Sequence, residues 1–386
     1  MSLAFVGGQV KFLKSKGFEI EAFSSPGEEL NLFAQRENVV VTPIAMQRRI
    51  APFKDVVAMQ KLVNKLRRIK PQILHAHTPK GGLLAMISGS ITRIPVRIYH
   101  MRGLPYMTAN GRRRTLLMAT ERVSCKLSHE VFCVSHSLRE VAISDGICPA
   151  EKIKVFLGGS GNGVDASGRF CPEGISPEAR AEKREDLGLE ANSVAIGFVG
   201  RLVRDKGIDE LANAWRIISS ECPGAYLFLI GPLEPQDPVS PESLAVFDKD
   251  PRVHLVGIVE DTSAWYSLLD LVVLPTYREG FPNVPLEAAA MGLPVVATLI
   301  PGCIDAVQDG VTGSLVPPRQ VAPLADAIRR YLDDPELRLK HGKAGRERVL
   351  REFRQEAIWE AIYQEYCRLL TERGIPLPTP GTDASA

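Results

Sequence analysis

The sequence predicts an α/β protein built from two domains, and three observations lead to this prediction. The 386-residue chain is long enough for each of two domains to bury its own core. Short apolar, β-branched runs such as Leu271-Val272-Val273-Leu274 have the continuous hydrophobicity of buried parallel strands. Helical patterns follow these runs, and strands that alternate with helices are typical of parallel sheets.

Composition predicts a soluble, reduced protein. The mean hydropathy is −0.01, and the seven cysteines are scattered without any Cys-x-x-Cys pair. This pattern argues against a disulfide framework and against a zinc site. The sequence shows no signal peptide and no apolar run of transmembrane length, so we expect a cytoplasmic protein whose membrane contact is peripheral.

Charge is distributed unevenly between the two halves. Residues 1–175 contain 25 Lys and Arg against 13 Asp and Glu (net +12), and the remainder contains 22 against 32 (net −10). No nucleic-acid-binding module or aromatic-interleaved basic motif accompanies the positive charge, so no nucleic-acid partner is predicted. An anionic membrane or a pyrophosphate-linked acceptor fits the basic half, and attraction between the two halves is the alternative.

The chain begins with a glycine pair and a helical pattern. Gly8 precedes a predicted helix over 10–16, which is followed by predicted strands over 18–23 and 39–44. Gly8 would let the backbone approach a ligand closely, although a simple turn would have the same sequence. The next predicted helix, over 56–69, has apolar residues at helical spacing and basic residues between them. Its basic side either is solvated or touches a membrane.

Two predicted strands carry histidines near their carboxyl ends. Alternation places His75 and His77 on one side of a strand over 73–77, a spacing that can bind metal. We identified no further Cys, Asp or His to complete the set, so no metal is predicted. Lys80, at the start of the following helix, indicates a phosphate or sugar contact instead.

The rest of the first half supplies further basic groups. A predicted strand over 96–101 contains His100 and leads into Arg102. The triplet 112–114, all arginine, is either a solvated helix start or a contact for an anionic lipid acceptor. A strand over 130–135, a helix from residue 136 and a strand over 153–157 complete the half.

The second half opens with a strand over 194–199 that leads into Gly200-Arg201 and then Lys206. An arginine and a lysine around one strand-to-helix turn can bracket a diphosphate, and surface solvation is the alternative. Two further strands are predicted over 225–230 and 254–256. The sequence is helical from 324 to 370.

The stretch 278–292 joins a buried strand to an alanine-rich helix. Pro285 fits the first helical position with Asn283 near the cap, and Gly292 ends the helix. The helix N-terminus favours an anion such as phosphate, which Glu279 and Glu287 would repel. Carboxylates accept hydrogen bonds from sugar hydroxyls, so the combination suggests a nucleotide sugar. A solvated loop with a glutamate in the first helical turn is the alternative.

These motifs resemble a known family. Glu279-Gly280-Phe281-Pro282, a second glutamate eight residues after the first, and the Ala-x-Gly-x-Pro-Val-Val-Ala-Thr pattern over 290–298 are similar to the signature of retaining family 4 glycosyltransferases. The Asn-Gly-Val-Asp over 162–165 resembles the interdomain segment of that family. The first half, with His-Thr-Pro-Lys-Gly-Gly and Arg-Gly-Leu-Pro, looks closest to its capsule-type branch.

The resemblance implies the GT-B fold, in which two Rossmann-like domains face each other across a cleft. It implies an acceptor-binding domain over 1–175, a linker over 176–192 and a nucleotide-sugar domain over 193–350. A C-terminal helix over 351–375 would pack back on the first domain, and a disordered tail would follow over 376–386. A first domain of this kind begins with a strand before its glycine loop, and the sequence predicts no such strand here. Either the start was assigned too late, or the domain lacks this element of its sheet.

The resemblance also implies roles for individual residues. Arg201 and Lys206 would take up the diphosphate charge, Glu279 would position the donor sugar, and Glu287 would hold the ribose hydroxyls; the first three form the predicted catalytic set. The predicted donor-binding residues are Gly200, Arg201, Lys206, Val259, Glu279, Gly280, Phe281, Pro282, Asn283 and Glu287. The predicted acceptor or cleft residues are Gly8, His77, Lys80, His100, Arg102 and Asn162. Relatives often have a histidine where Arg102 stands, so that histidine's role falls to either His100 or Arg102.

The predicted activity is retaining transfer of a sugar from a nucleotide-diphosphate sugar, with uridine as the expected base. The acceptor would be a saccharide or a polyprenyl-diphosphate-linked sugar in bacterial surface polysaccharide synthesis, at the inner face of the cell membrane. Because Arg201 and Lys206 would take up the diphosphate charge, no metal is required, and no other cofactor is expected. A sugar-nucleotide epimerase on the same architecture and a non-catalytic scaffold are the alternatives.

Overall fold

The computed structural model describes residues 6–46, 51–174, 176–190, 192–235 and 237–379. Contacts divide the chain into two compact units: the first contains residues up to 162 and from 355 onward, and the second contains 163–354. The opening residues 1–5 and most of the predicted tail, 380–386, lie outside the described residues.

The limits of the two units differ from the predicted domains. The first unit ends at Asn162 instead of 175, and the helix Pro177–Asp186, predicted as linker, belongs to the second unit. The helix Gln355–Thr371 belongs to the first unit, although the whole second unit precedes it in sequence. The chain therefore crosses between the units twice.

The first unit contains parallel strands and seven helices among its described residues. The strands are β1 (Glu21–Ser24), β2 (Val40–Pro43), β3 (Ile73–His77), β4 (Val96–Met101), β5 (Glu130–Cys133) and β6 (Ile153–Val155). The helices are α1 (Gln9–Ser15), α2 (Glu28–Glu37), α3 (Pro52–Ile69), α4 (Pro79–Ile91), α5 (Gly111–Leu127), α6 (His136–Ser144) and the C-terminal α15 (Gln355–Thr371).

These strands form two separate parallel sheets. β1 pairs with β2, while β3 to β6 form a four-stranded sheet in chain order. Among residues 6–20 the structure shows α1 and no strand. The prediction that a strand is missing before the glycine loop concerns residues 1–5, which lie outside the described residues.

Helices cover the four-stranded sheet on both faces. On one face, Ile358 and Ile362 of α15 pack with Leu13 of α1 against Ile98 and Phe132 in the sheet. On the other, α4 lies so close that a Cβ at Gly82 would overlap the ring of Tyr99. α3 packs beside α4, and α4 packs beside α5.

The second unit is a six-stranded parallel sheet with helices. Its strands are β7 (Val194–Val199), β8 (Ala225–Ile230), β9 (Val253–Gly257), β10 (Leu271–Leu274), β11 (Val295–Thr298) and β12 (Gly313–Val316). Its helices are α7 (Pro177–Asp186), α8 (Ile208–Glu221), α9 (Pro241–Lys249), α10 (Thr262–Tyr266), α11 (Asn283–Ala290), α12 (Cys303–Ala306), α13 (Val321–Asp333) and α14 (Pro335–Glu352). The strand order is β12-β11-β10-β7-β8-β9, and the central strands are buried. The predicted α/β class with two domains is confirmed.

Two element predictions need correction. α11 begins at Asn283 with Pro282 as its cap, two residues before the predicted first helical position, Pro285. The region 324–370, predicted as helical throughout, contains three helices, because Asp334 caps α14 and the chain leaves helical conformation again at Phe353. Within the described ranges, no helix combines the length and the apolar composition needed to cross a membrane.

Candidate functional site

The candidate site lies at the carboxyl ends of β7 and β10. From β7 the chain continues to β8 on one side, whereas β10 lies on the other side of β7 and continues outward to β11. The direction of strand progression therefore reverses between β7 and β10. In open parallel sheets, ligands bind beyond the carboxyl ends of the strands at such a reversal. Arg201 and Lys206 follow β7, and Glu279 and Glu287 follow β10.

Glycines hold the ends of β7 and β8 close together. The N–H of Gly200 donates to the carbonyl of Ile230 at 2.9 Å, and a Cβ at Gly231 would overlap the carbonyl oxygen of Gly200. Gly231 has φ +142°, which a residue with a side chain rarely adopts. Arg201 leaves this turn, and its Nη1 donates to Oε2 of Glu234 at 2.6 Å.

A second glycine brings the loop after β7 against the loop after β10. Gly207 has φ +71°, and a Cβ there would overlap the carbonyl oxygen of Pro275. The N–H of Tyr277 donates to the carbonyl of Asp205 at 3.0 Å, and Arg278 forms an ion pair with the Asp205 carboxylate at 3.1 Å. A backbone hydrogen bond and an ion pair therefore join the two loops.

Lys206 and Glu279 meet where these loops join. Nζ of Lys206 forms an ion pair with Oε1 of Glu279, and the two side chains are only 22% and 14% exposed. The loop after β11 also reaches this point, since a Cβ at Gly302 would lie 2.6 Å from the carbonyl oxygen of Gly280. Three strand-to-helix loops thus converge on Glu279-Gly280.

The N-terminus of α11 adds a positive electrostatic end to the same loop. No side chain caps α11, and its first turn contains no acidic residue. Its first backbone N–H groups can therefore donate to an anion. Phe281 packs against Phe353 with ring centroids 5.6 Å apart, which anchors the loop, while Pro282 is buried and Asn283 is exposed.

Glu287 lies one turn further along α11 and has a partner of its own. The hydroxyl of Tyr266 donates to its Oε2 at 2.9 Å, and Tyr266 is fully buried. Burial raises the pKa of the Glu287 carboxyl, while the Tyr266 hydrogen bond and the charge of Arg169 act in the opposite direction. The structure therefore joins Lys206 to Glu279, but it places Arg201 on Glu234 and Glu287 on Tyr266.

Val259, the predicted nucleobase contact, follows β9 at the outer edge of the sheet. Its side chain is partly buried against the core of the second unit. In the same loop, Asp261 forms an ion pair with Arg169 at 3.2 Å. Two strands of the sheet order, β7 and β8, separate this loop from β10.

In the first unit, two of the predicted residues surround the indole of Trp359. Nδ2 of Asn162 donates to the carbonyl of Gly7 at 3.1 Å, and Nε1 of Trp359 donates to Oδ1 of Asn162 at 2.7 Å. Gly8 has φ +75°, and a Cβ there would lie 2.5 Å from the Trp359 ring. A residue with a side chain at position 8 would therefore need an unfavourable backbone conformation and would clash with Trp359. The N–H of Gly8 donates to Oε1 of the buried Glu37 at 3.0 Å.

Three histidines lie together at the carboxyl ends of β3 and β4. Parallel register pairs His77 with His100, and Nε2 of His75 lies 3.2 Å from Nδ1 of His100. Tyr366 contacts Nδ1 of His75, and Nε of Arg102 donates to Nδ1 of His77 at 3.1 Å. His77, His100 and Arg102, three predicted acceptor residues, therefore form one cluster.

The prediction that no residue completes a set with His75 and His77 was wrong, because His100 does so. Ring nitrogens of the three lie within 4.8 Å of one another. Burial, together with the charge of Arg102, lowers the pKa of all three, that of His75 to about 3, so the imidazoles are neutral at pH 7. Arg102 can only donate hydrogen bonds, so its contact keeps Nδ1 of His77 unprotonated. The positive charge of Arg102 would also repel a metal ion bound by the three histidines. The cluster fits a divalent cation poorly.

Lys80, another predicted acceptor or cleft residue, lies in the first turn of α4. Its Nζ forms an ion pair with Oδ1 of Asp55 at 2.6 Å, which joins the first turn of α4 to the first turn of α3.

Burial lowers the pKa of the Arg102 guanidinium to about 9.

Several site residues were missed by sequence reasoning. In the donor site these are Glu234, which contacts Arg201, and Tyr266 and Arg169, which act on Glu287. In the first unit they are Trp359, which contacts Asn162, and Tyr366, which contacts His75 of the histidine cluster. Trp359 and Tyr366 are separated by about two hundred residues or more from their partners. The local sequence gives no signal for such pairs. For His100, the adjacency of two consecutive parallel strands would have been a usable signal.

Two family models match the chain. Residues 6–166 match the model described as Glycosyltransferase Family 4, and residues 193–334 match the model described as Glycosyl transferases group 1.

Among curated proteins, the chain is 33% identical over 371 residues to a "Capsular polysaccharide biosynthesis glycosyltransferase CapM" of Staphylococcus aureus, covering 96% of this chain and 95% of the relative. It is 25% identical over 295 residues to a "UDP-Gal:alpha-D-GlcNAc-diphosphoundecaprenol alpha-1,3-galactosyltransferase" of Escherichia coli, covering 76% and 74%. Among solved structures, Anabaena Alr3699/HepE in complex with UDP superposes with a TM-score of 0.76 at 22% identity, covering 94% of this chain and 97% of that one.

Proposed function

Because the chain belongs to the family 4 glycosyltransferases, we propose that it transfers a sugar from a nucleotide diphosphate to an acceptor in the assembly of a bacterial surface polysaccharide. The second unit would bind the donor, and the first unit would bind the acceptor. The observation that carries this proposal is the Lys206–Glu279 pair at the strand-order reversal, next to the N-terminus of α11.

The names of the relatives support the choice of substrates. The Staphylococcus relative, which matches nearly the whole chain, is named for capsular polysaccharide synthesis. The Escherichia relative is named for a UDP-linked donor and a diphosphoundecaprenol-linked acceptor, and the Anabaena structure contains UDP. We therefore propose a UDP-sugar donor and a saccharide or polyprenyl-diphosphate-linked acceptor, used at the cytoplasmic face of the cell membrane.

Charge stabilisation of the leaving diphosphate is the main chemical requirement. Cleavage of the bond between sugar and diphosphate leaves negative charge on the phosphate oxygens and an oxocarbenium-like sugar. Arg201 and Lys206 would take up that charge together with the N–H groups at the start of α11. In the structure Arg201 donates to Glu234, so the donor phosphate would replace the Glu234 carboxylate as its partner.

The two predicted glutamates would bind different parts of the donor. Glu279 would accept hydrogen bonds from the sugar while Lys206 neutralises its charge. Glu287, oriented by Tyr266, would accept hydrogen bonds from the ribose hydroxyls. The resemblance to retaining enzymes supports transfer with retention, in which the leaving phosphate accepts the proton of the acceptor hydroxyl.

We propose that the reaction uses no metal ion. Two cationic side chains and a helix N-terminus already supply positive charge for the diphosphate. The relatives reported above are transferases, and nothing favours the alternative of an epimerase.

Release of nucleotide diphosphate tests the proposal. The full chain is incubated with a panel of UDP-, GDP- and dTDP-sugars, with and without a lipid-linked acceptor, and free diphosphate is measured. We expect acceptor-dependent release from a UDP-sugar, without added metal and in the presence of a chelator. Turnover of donor into an epimer without any acceptor would favour the epimerase instead, and binding without turnover would favour a scaffold.

A further inference from the structure

Three neighbouring helices of the first unit form one layer. α3 packs beside α4, and α4 packs beside α5. α4 connects β3 to β4, and α5 connects β4 to β5, and these strands are adjacent and parallel in that order. Right-handed crossovers in one direction place such helices on the same face of the sheet. Their outer sides therefore form a continuous surface.

That surface is positively charged almost without exception. The three helices contain eleven Lys and Arg residues and only two acids, Asp55 and Glu121. Asp55 is paired with Lys80, and Glu121 is 2% exposed and accepts a hydrogen bond from Tyr99. The exposed cations are Lys54, Lys61, Arg67, Arg68, Arg112, Arg113, Arg114, Arg122 and Lys126. We call this surface the basic face.

The basic face also exposes apolar side chains at the start of α3. Phe53 is 91% exposed, and Val56 and Val57 are 58% and 55% exposed. Val56 is the first residue of the helical pattern that was predicted over 56–69, and the structure leaves its side chain mostly exposed. Phe53, Val57 and Lys61 recur at intervals of four residues, so they lie along one side of α3. Further apolar residues, Ile91, Leu116 and Val123, are 51%, 46% and 39% exposed on α4 and α5.

We propose that the basic face docks on an anionic lipid bilayer, with Phe53 and Val57 entering the headgroup region and the cations contacting lipid phosphates. A helix with an apolar side and flanking Lys and Arg binds membranes by burying the apolar residues while its charges attract anionic lipid. This proposal rests on the proposed function in one respect, because a lipid-linked acceptor would be presented at such a surface.

The exposed phenylalanine favours a bilayer over a soluble polyanion. Arginine and lysine alone would suit nucleic acid or an acidic polysaccharide equally well. A soluble polyanion offers no apolar phase for Phe53, Val56 and Val57, whereas the acyl boundary of a membrane does. The basic face lacks interleaved aromatic platforms, since Phe53 is the only exposed aromatic residue on α3, α4 and α5.

Docking here would place the membrane beside the predicted acceptor residues. The Lys80–Asp55 ion pair holds the first turn of α3 against the first turn of α4. α4 begins directly after the carboxyl end of β3, where His77 and Arg102 lie together. Phe53 and Val57 are thus at the end of the helix layer that borders the predicted acceptor cluster.

Vesicle flotation tests the proposal. The full chain is mixed with vesicles of phosphatidylcholine alone or of phosphatidylcholine and phosphatidylglycerol in equal parts, at low and high salt. We expect binding to the anionic vesicles that weakens at high salt. Phe53→Ser/Val57→Ser and Lys54→Glu/Lys61→Glu should each lower the partition coefficient by roughly tenfold or more.

Matched controls come from the second unit. Leu339 is 76% exposed, and Lys249 and Lys343 are exposed, so Leu339→Ser and Lys249→Glu/Lys343→Glu change the same chemistry elsewhere. We expect these controls to bind as the wild type does. Anionic-vesicle binding that survives both basic-face variants would overturn the proposal, as would a wild type that ignores vesicles but binds a soluble polyphosphate.

Diphosphate release from a UDP-sugar, measured without vesicles and with the lipid-linked acceptor dissolved in detergent, separates this proposal from the proposed function. The Phe53/Val57 and Lys54/Lys61 variants should retain the wild-type rate in that assay, because these residues lie outside the donor site. Loss of vesicle binding with normal release supports the docking surface. Vesicle binding by a chain that releases no diphosphate from any donor would support the docking surface and contradict the proposed transferase function.

Discussion

At the scale of single residues, Lys206 carries the strongest functional expectation. Its ammonium group is paired with Glu279 in a mostly buried position at the carboxyl edge of the sheet. A lysine held there is already positioned for the charge that develops on a leaving phosphate.

We expect Lys206→Met to lower kcat/KM for the UDP-sugar by about 10²–10³-fold, the effect of removing one preorganised charge-stabilising group. Steady-state diphosphate release measures this. Lys249→Met, an exposed lysine of the same unit, is the matched control and should be within twofold of wild type, roughly. Equal rates for wild type and Lys206→Met would remove Lys206 from the mechanism.

Glu121 gives a pH-dependent expectation in the first unit. Burial raises the pKa of its carboxyl from 4.5 to about 7, partly opposed by the hydrogen bond from Tyr99. Between these values the folded chain holds a proton that the unfolded chain has lost. The carboxyl's contribution to stability is therefore fully present below pH 4.5, approximately, and is lost as the pH rises through about 7.

Glu121→Gln removes this titration. Relative to wild type, the free energy of unfolding of the variant should rise between pH 5 and pH 8 by on the order of 2–3 kcal/mol. Denaturant unfolding at the two pH values measures the difference. Glu151→Gln, an exposed site in the same unit, should show no such change, and an E121Q difference that is equally flat would contradict the raised pKa.

The sequence predicted the residues that lie within one motif and missed those that belong to distant pairs. Lys206 and Glu279 follow two strands that are adjacent in the sheet, so the strand order alone brings them together. Glu234 and Tyr266 come from other loops, and their hydrogen bonds depend on side-chain geometry that no local pattern encodes.

At the scale of elements, the loops after β7 and β10 depend on Gly207. Its φ of +71° and the adjacent carbonyl of Pro275 both exclude a side chain. Closely packed backbone at this point is what positions Lys206 beside Glu279.

Gly207→Ala should destabilise the chain by at least about 1–3 kcal/mol and reduce diphosphate release, because the two loops must move apart. Gly224→Ala is the matched control, since nothing lies within 4 Å of a Cβ there. Thermal unfolding and the release assay on both variants decide the matter. A Gly207→Ala protein as stable and active as Gly224→Ala would show that the loops tolerate separation.

Strands were predicted better than helix starts. The limits of β3, β4, β7 and β8 agree with the predicted ranges, and β7 and β8 are short apolar runs that end directly before a glycine. α11 starts at Asn283, two residues before the predicted first helical position, Pro285. The helix propensities of asparagine and valine are modest but do not exclude a helical conformation at these two positions. The break at Asp334-Pro335 is a cap-and-proline signal that the helical reading of 324–370 overlooked.

At the scale of the whole molecule, the fold is a two-unit α/β architecture of the GT-B type, as predicted, and the similarity to solved structures over nearly the full length shows it. The contact of α15 with the first unit was expected from the family resemblance, because composition alone does not indicate it. The structure shows this contact, since Ile358 and Ile362 are both 0% exposed in the core of the first unit.

The C-terminal helix should therefore stabilise the first unit. We expect Ile362→Ala to lower the free energy of unfolding by about 2–5 kcal/mol, as for other large-to-small changes in a core. Leu377→Ala, at a site that is 46% exposed, should stay within about 0.5 kcal/mol of wild type. If both variants unfold at the same denaturant concentration as wild type, α15 is not part of the core.

The transfer of labelled sugar tests the central claim most directly. The full chain is given a UDP-sugar labelled in the sugar and a polyprenyl-diphosphate-linked acceptor, and label in the lipid fraction is measured for wild type and Lys206→Met. The account predicts that wild type moves label into the lipid fraction and that Lys206→Met does so at least about a hundredfold more slowly. Label that stays in the aqueous fraction with every donor, or that moves equally fast with both proteins, would contradict it.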